Sequence, residues 1–274
     1  MFNFSQYFSN YEQCYQVITW LTCIGLLIVS FEYLAIHKEF KPDGVYSWKV
    51  FRSRHNFINN RLFHRLDFLF GYTAFIVCQL LIIGCCIILP FAQDHLLKAI
   101  LIAIICLISL MISFRNIVGA DGSDQLFSII LLTLFISYLI NDPFIYRIGL
   151  IFISGQVVLS YVVAGIAKGI SQKWRGGQAI IMIMNTKTYG HEKIATMLSA
   201  SSRAFNIFLC WNIIVVECLF FAVIFLPCPW FIPFLIWGFL FHLYNAVIMG
   251  LNNFFWAFLA AYPSIFYLNH LITG

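Results

Sequence analysis

The 274-residue chain reads as an all-α polytopic membrane bundle, and three observations predict that class. Hydrophobic residues make up 62% of the sequence, charged residues only 10%, and the mean hydropathy is +0.89. A soluble domain carries about a quarter charged residues to face water, so this chain cannot clothe an aqueous surface. Its apolar residues are gathered into runs close to the roughly 20 residues that one helical crossing requires. These runs lack the alternation of a membrane barrel strand, and a lipid-exposed backbone must satisfy its own hydrogen bonds, which leaves helices. The same composition excludes disordered, collagen-like, coiled-coil and nucleic-acid-binding chains.

Eight runs qualify as spans: 15–36, 68–91, 97–114, 125–140, 148–167, 205–227, 230–250 and 254–272. No Lys or Arg precedes the first, which therefore lacks the basic flank of a cleavable signal peptide and reads as a retained anchor. The fourth is short and needs an unusual tilt or shelter from its neighbours. Only Leu251, Asn252 and Asn253 separate the last two, as a tight hairpin or as a break in one helix, so the count is eight, or seven if they merge. No repeat or separate soluble domain interrupts residues 1–274, which read as a single integral membrane domain. Two polar loops, 37–67 and 168–204, divide the spans. Within the second, Ala179–Met184 is apolar but too short to cross, as expected of a re-entrant or interfacial helix. Most of the nine cysteines lie inside apolar runs, where free Cys behaves as a small hydrophobe. Cys14 and Cys228, near span ends, are the two that remain open to pairing.

Charge predicts an orientation. The first loop holds Lys38, Lys41, Lys49, Arg52, Arg54, Arg61 and Arg65, and the second Lys168, Lys173, Arg175, Lys187, Lys193 and Arg203. With Arg115, these fall on one side of an eight-span bundle, leaving only Lys98 and Arg147 on the other. The positive-inside rule then puts both loops in the cytoplasm and the N-terminus outside, as in a bacterial cytoplasmic membrane protein.

Ionisable residues inside a span cost roughly 2.5–3.5 kcal/mol on insertion scales and are functional candidates by default. Four qualify: Glu32, Lys168, Glu217 and His242. Ser154, Tyr161 and Lys168 recur every seven residues along one helix face, with Ala164 and Gly165 between the last two. Two readings share that spacing. One is a packing seam of small residues ending in a lysine that snorkels to the interface. The other is a buried amine whose dry surroundings disfavour the ammonium form, leaving a base able to take a proton from an acidic hydroxyl. Downstream, Trp174 suits an interfacial anchor. Arg175 with Gly176 and Gly177 either offers charge and backbone N–H groups to an anion or forms a solvated turn. His242 and Asn245 share a helix face, and Asn253 would join them if the helix continued. No HxxxH or His/Cys cluster accompanies His242, so no metal is predicted, and it is either a hydrogen-bonded structural histidine or a ligand-facing one. Glu217 has Lys168 or His242 as candidate partners. Asp121 and Asp124, in the turn 115–127, either line a polar mouth or are simply solvated.

At these residues the chain resembles a known superfamily. GQVVLSYVVAGIAKGISQKWRGG, from Gly155, is similar to the YFxAGxxK…W.xG signature of the vitamin K-dependent gamma-carboxylase-like proteins. These are also called the HTTM (horizontally transferred transmembrane) family, which includes short bacterial members of the sporulation-delaying protein B type. DGSDQLFSIILL and FHLYNAVIMGLNNFF resemble two further family blocks, in the same order, and the likeness runs from about residue 68 to 270. It implies a helical membrane enzyme built around a reduced, vitamin K-like quinone. Lys168, the lysine of AGxxK, would then be the base that deprotonates the quinol, with His242 and Asn245 near the same pocket. The family's histidine in the polar turn is replaced here by Ser123 or Asp124, and no large soluble region follows the last span. The chain therefore looks more like the peptide-maturation members than a glutamate carboxylase. Its expected partners are the lipid bilayer and a peptide substrate or small partner protein. A non-enzymatic role in maturation, export or immunity of a secreted peptide is the alternative. In the carboxylase the lysine end of this helix opens to the lumenal side, opposite to the orientation that charge predicts here.

Overall fold

A computed structural model describes residues 7–54, 67–115 and 122–274. All regular structure among them is helical, and eight helices are long and apolar enough to cross a membrane. They are α1 (Tyr11–Ala35), α2 (Tyr72–Ile88), α3 (His95–Arg115), α4 (Gly122–Ile140), α5 (Pro143–Ile170), α6 (Arg203–Leu219), α7 (Ile232–Met249) and α8 (Asn252–Thr273). The protein is an integral membrane protein by the length and composition of these helices. Large apolar side chains such as Leu110, Phe208 and Val247 are exposed on their outer faces, where lipid is the solvent.

Local chemistry sets the helix boundaries. Asn10 Oδ1 accepts from the Glu12 amide at the start of α1, Asp94 Oδ2 from Leu97 at the start of α3, and Ser202 Oγ from Phe205 at the start of α6. Each satisfies an amide that the helix itself leaves unpaired. Asn141, at φ 51, turns the chain between α4 and α5. Gly250, at φ 72, stops α7, so the chain makes a hairpin and the eight-span reading holds. Asn253 consequently does not extend the face of His242 and Asn245; it lies in the first turn of α8. Asp124 lies within the first turn of α4, and not in a turn before it, while Asp121, Arg61 and Arg65 fall outside the described residues. Glu32 sits in the last turn of α1 and is exposed.

The chain folds into two compact units, residues 15–149 and residues 1–14 with 150–274. In the first, Tyr15 and Ser137 hydroxyls are 2.7 Å apart, and those of Thr19 and Tyr138 are 3.1 Å apart, tying α1 to α4. Arg115, at the end of α3, is buried between the Phe40 and Phe75 rings and donates to the carbonyls of Phe40, Tyr46 and Gly71. In the second, α7 and α8 pack antiparallel. Phe239 meets Phe255 and His242 meets Phe258, with ring centroids 5.3 and 4.1 Å apart. Asn269 on α8 donates to the Val223 and Leu226 carbonyls, each at 2.8 Å, where the 3-10 turn after α6 leaves them unpaired. The loop between α5 and α6 forms three short helices, Gln172–Arg175, Ala179–Met184 and Glu192–Ala200. Met184, Ala195 and Leu198 are the core on which the last two pack. All nine cysteines are free, Cys14 and Cys228 included.

Candidate functional site

The predicted stripe on α5 lies within the second unit from Ser154 onward, and its three polar groups have three different fates. Ser154 is fully buried and donates back to the Leu150 carbonyl of its own helix at 2.9 Å, so it plays no part in a site. Tyr161 is buried, its hydroxyl 2.9 Å from His242 Nε2 and 3.1 Å from the Tyr262 hydroxyl. Its ring stacks on Phe220 at 3.8 Å. Lys168 Nζ donates to both carboxylate oxygens of Glu217, at 2.8 and 2.6 Å.

The small residues of the stripe explain how that pair forms. A Cβ at Gly165 would lie 2.6 Å from the Cys218 backbone nitrogen and 2.9 Å from Glu217 Cβ. Only glycine lets α6 come this close, and the same approach brings Glu217 to Lys168 one turn further along. The packing-seam reading is therefore correct for Gly165, and the seam serves the amine. The amine is not isolated, as a bare buried base would be. The Glu217 side chain is 3% exposed and that of Lys168 19%. Losing either partner would leave a buried charge uncompensated, at a cost of about 3–5 kcal/mol. The Trp174 ring lies 5.4 Å from Nζ.

Lys168 and Trp174 also line a cavity of about 570 Å³, within the 300–1,000 Å³ range of small-molecule sites. Its walls are mostly apolar, contributed by α6, α7 and the short helices Ala179–Met184 and Glu192–Ala200. Asn245 lines it too. Asn212 and Trp237, which the sequence did not single out, form a polar clasp on the wall, with Trp237 Nε1 donating to Asn212 Oδ1 at 3.0 Å. They lie 25 residues apart on different helices, so no local pattern joins them.

The remaining candidates lie elsewhere. His242 and Asn245 are three residues apart on α7, yet Asn245 lines the cavity while His242 is buried against Tyr161 and Phe258. Tyr161 and His242 do not line this cavity. Arg175 is exposed and does not line the cavity. Gly176 and Gly177 form no anion cradle. The Gly176 amide bonds the Gln172 carbonyl, the Gly177 amide the Trp174 carbonyl and the Gln178 amide the Lys173 carbonyl, with Gly177 at φ 76. That is a helix stop whose amides are already used. Asp124 belongs to the other unit and is half-buried there.

Trp174, Trp237 and Phe241 give the wall aromatic side chains, Trp237 and Phe241 stacked on each other with centroids 5.0 Å apart, and Lys168 and Asn245 give it hydrogen-bonding groups. Among the described residues no group of three or more His, Cys, Asp or Glu side chains is placed to hold a metal ion. No protein-family model, no curated protein and no solved structure matches this chain.

Proposed function

We propose that this chain is a membrane enzyme that binds a reduced, vitamin K-like quinone in the 570 Å³ cavity and uses Lys168 as the base on its hydroxyl, to drive modification of a peptide or small substrate. One observation carries the reading: Lys168, paired to the buried Glu217, stands on the wall of a mostly apolar, aromatic-lined cavity. When bound, the quinol would supply the reducing electrons and, on reaction with oxygen, the drive for the modification. The chain's own residues do the rest. Across the 2.6 Å contact the Lys168 proton can pass to Glu217 Oε2, which leaves a neutral amine facing the ligand. Lys168 then takes the hydroxyl proton and, as an ammonium again, holds the oxygen it has left charged, with Glu217 now neutral. Trp174 and Trp237 orient the ring, and the apolar walls exclude water.

The test is oxygen uptake by purified protein supplied with a reduced naphthoquinone. Lys168→Ala should lower the rate by about 10²–10⁴-fold, the usual contribution of a positioned base. Lys168→Arg should be equally inactive, because guanidinium does not release its proton. Uptake that survives both substitutions would remove Lys168 from the chemistry.

A second reading has its own support. Met184, Met197 and Met249 line the cavity, and methionine walls adapt to varied apolar partners. A non-enzymatic partner for a secreted peptide needs no neutral amine, so peptide capture would then persist in Lys168→Gln. For orientation, the placement of fourteen of the sixteen Lys and Arg on the side of Lys168 supports a cytoplasmic mouth and an external N-terminus.

A further inference from the structure

Lys168 is the only formally charged side chain among the described residues that line the cavity. Its charge is already spent, because Nζ donates to both oxygens of a carboxylate that is itself 3% exposed. The wall therefore presents no net charge: its polar groups are the remaining Nζ–H, the Asn245 amide, the Tyr244 side chain and the Asn212–Trp237 clasp, among mostly apolar side chains. An anionic head entering here would face Glu217 behind the ammonium, and would give up its hydration without gaining an uncompensated counter-charge. A neutral head loses far less on entry and finds a donor in Lys168 and both a donor and an acceptor in Asn245. Ile183, Met197 and Leu198, from the two short helices, offer an apolar surface for a chain.

We propose that Glu217 is the specificity-determining residue of this cavity: by neutralising Lys168 it selects an amphipathic ligand with an uncharged hydrogen-bonding head, and excludes the same chain carrying an anionic head. The inference rests on the cavity being a ligand site but not on any redox step. Removing the carboxylate while keeping the amine converts the site to one that takes its counter-charge from the ligand. Removing both charges restores the preference for neutral heads.

Trp174 and Trp237 on the cavity wall make this measurable by fluorescence quenching with brominated chains. The probes are dibromostearamide and dibromostearate, which share a chain and differ in head charge, added to the purified full-length protein. The saturable quench that disappears in Trp174→Phe/Trp237→Phe reports the cavity. The native protein should hold the amide at least about tenfold more tightly than the carboxylate. Glu217→Gln should reverse that order, and Lys168→Gln/Glu217→Gln should bring it back. If Glu217→Gln does not fold, Glu217→Met, which also leaves the amine without its counter-charge in a side chain of similar volume, serves instead, with the same reversal expected. Equal binding of both probes by the native protein, an unchanged order in Glu217→Gln, or no saturable quench from either probe would each overturn the proposal. Absence of quinol-dependent oxygen uptake by the native protein, with the amide preference intact, would sink the enzyme reading and leave this one standing.

Discussion

The Lys168–Glu217 pair joins a carboxylate side chain that is 3% exposed to an amine that is 19% exposed. Lys168, Glu217 and His242 stand out because ionisable groups are costly in a bilayer, and two of them do meet, across 49 residues of chain. The third meets Tyr161, a contact 81 residues long that no local pattern encodes. Asn269 carries no signal in the sequence, and Arg115 reads there only as a loop charge, for the same reason: each satisfies carbonyls contributed by other segments. Gly177 is a residue whose identity the backbone dictates: its φ is 76, and a Cβ would come 2.7 Å from the Ile207 nitrogen. Gly177→Ala should destabilise the protein by about 1–2 kcal/mol from the left-handed conformation alone, seen as a lowered unfolding temperature in detergent. A change of no more than a few tenths of a kcal/mol would mean that the loop relaxes freely.

Helices follow from the composition of their own segments, whereas the fit between helices does not. Two glycines one turn apart on α5 separate these contributions. At Gly169 a Cβ would meet Ile214 at an ordinary 3.5 Å, while at Gly165 it would collide with the α6 backbone. Alanine is worth about 1 kcal/mol over glycine inside a helix, so Gly169→Ala should leave the protein as stable or more so. At Gly165 overpacking should outweigh that gain and cost about 1–3 kcal/mol, while parting Lys168 from Glu217. Thermal unfolding of the two variants side by side reads the difference, and similar behaviour would refute the close approach of α5 and α6. The Gly176–Gly177 pair shows the converse: its sequence fits an anion site or a turn, and it is a turn that stops a helix, because its amides are consumed by the preceding turn.

Over the whole molecule the hydropathy pattern carries most of the architecture, since each of the eight expected runs corresponds to one helix with ends shifted by a few residues. Orientation depends on charge at the loops, and it is directly testable. An alkaline phosphatase reporter, active only outside the cytoplasm, should be active when fused after Asp94 and silent when fused after Tyr189. The reverse pattern would turn the bundle over and place the Lys168 end on the external side.

By itself, the sequence determined that this is a helical membrane protein of eight apolar runs, with the last two separate or merged, where each run lies, and which few ionisable groups the bilayer would have to tolerate. These are properties of contiguous segments, set by transfer free energy and by hydrogen bonding within each helix. Only the tertiary structure decided that Glu217 neutralises Lys168, that Asn245 lines the cavity while His242 turns away from it, and that Asn212 and Trp237 belong to its wall. Those outcomes depend on how closely and at what rotation separate helices pack, which glycines and side-chain volumes on distant segments set together.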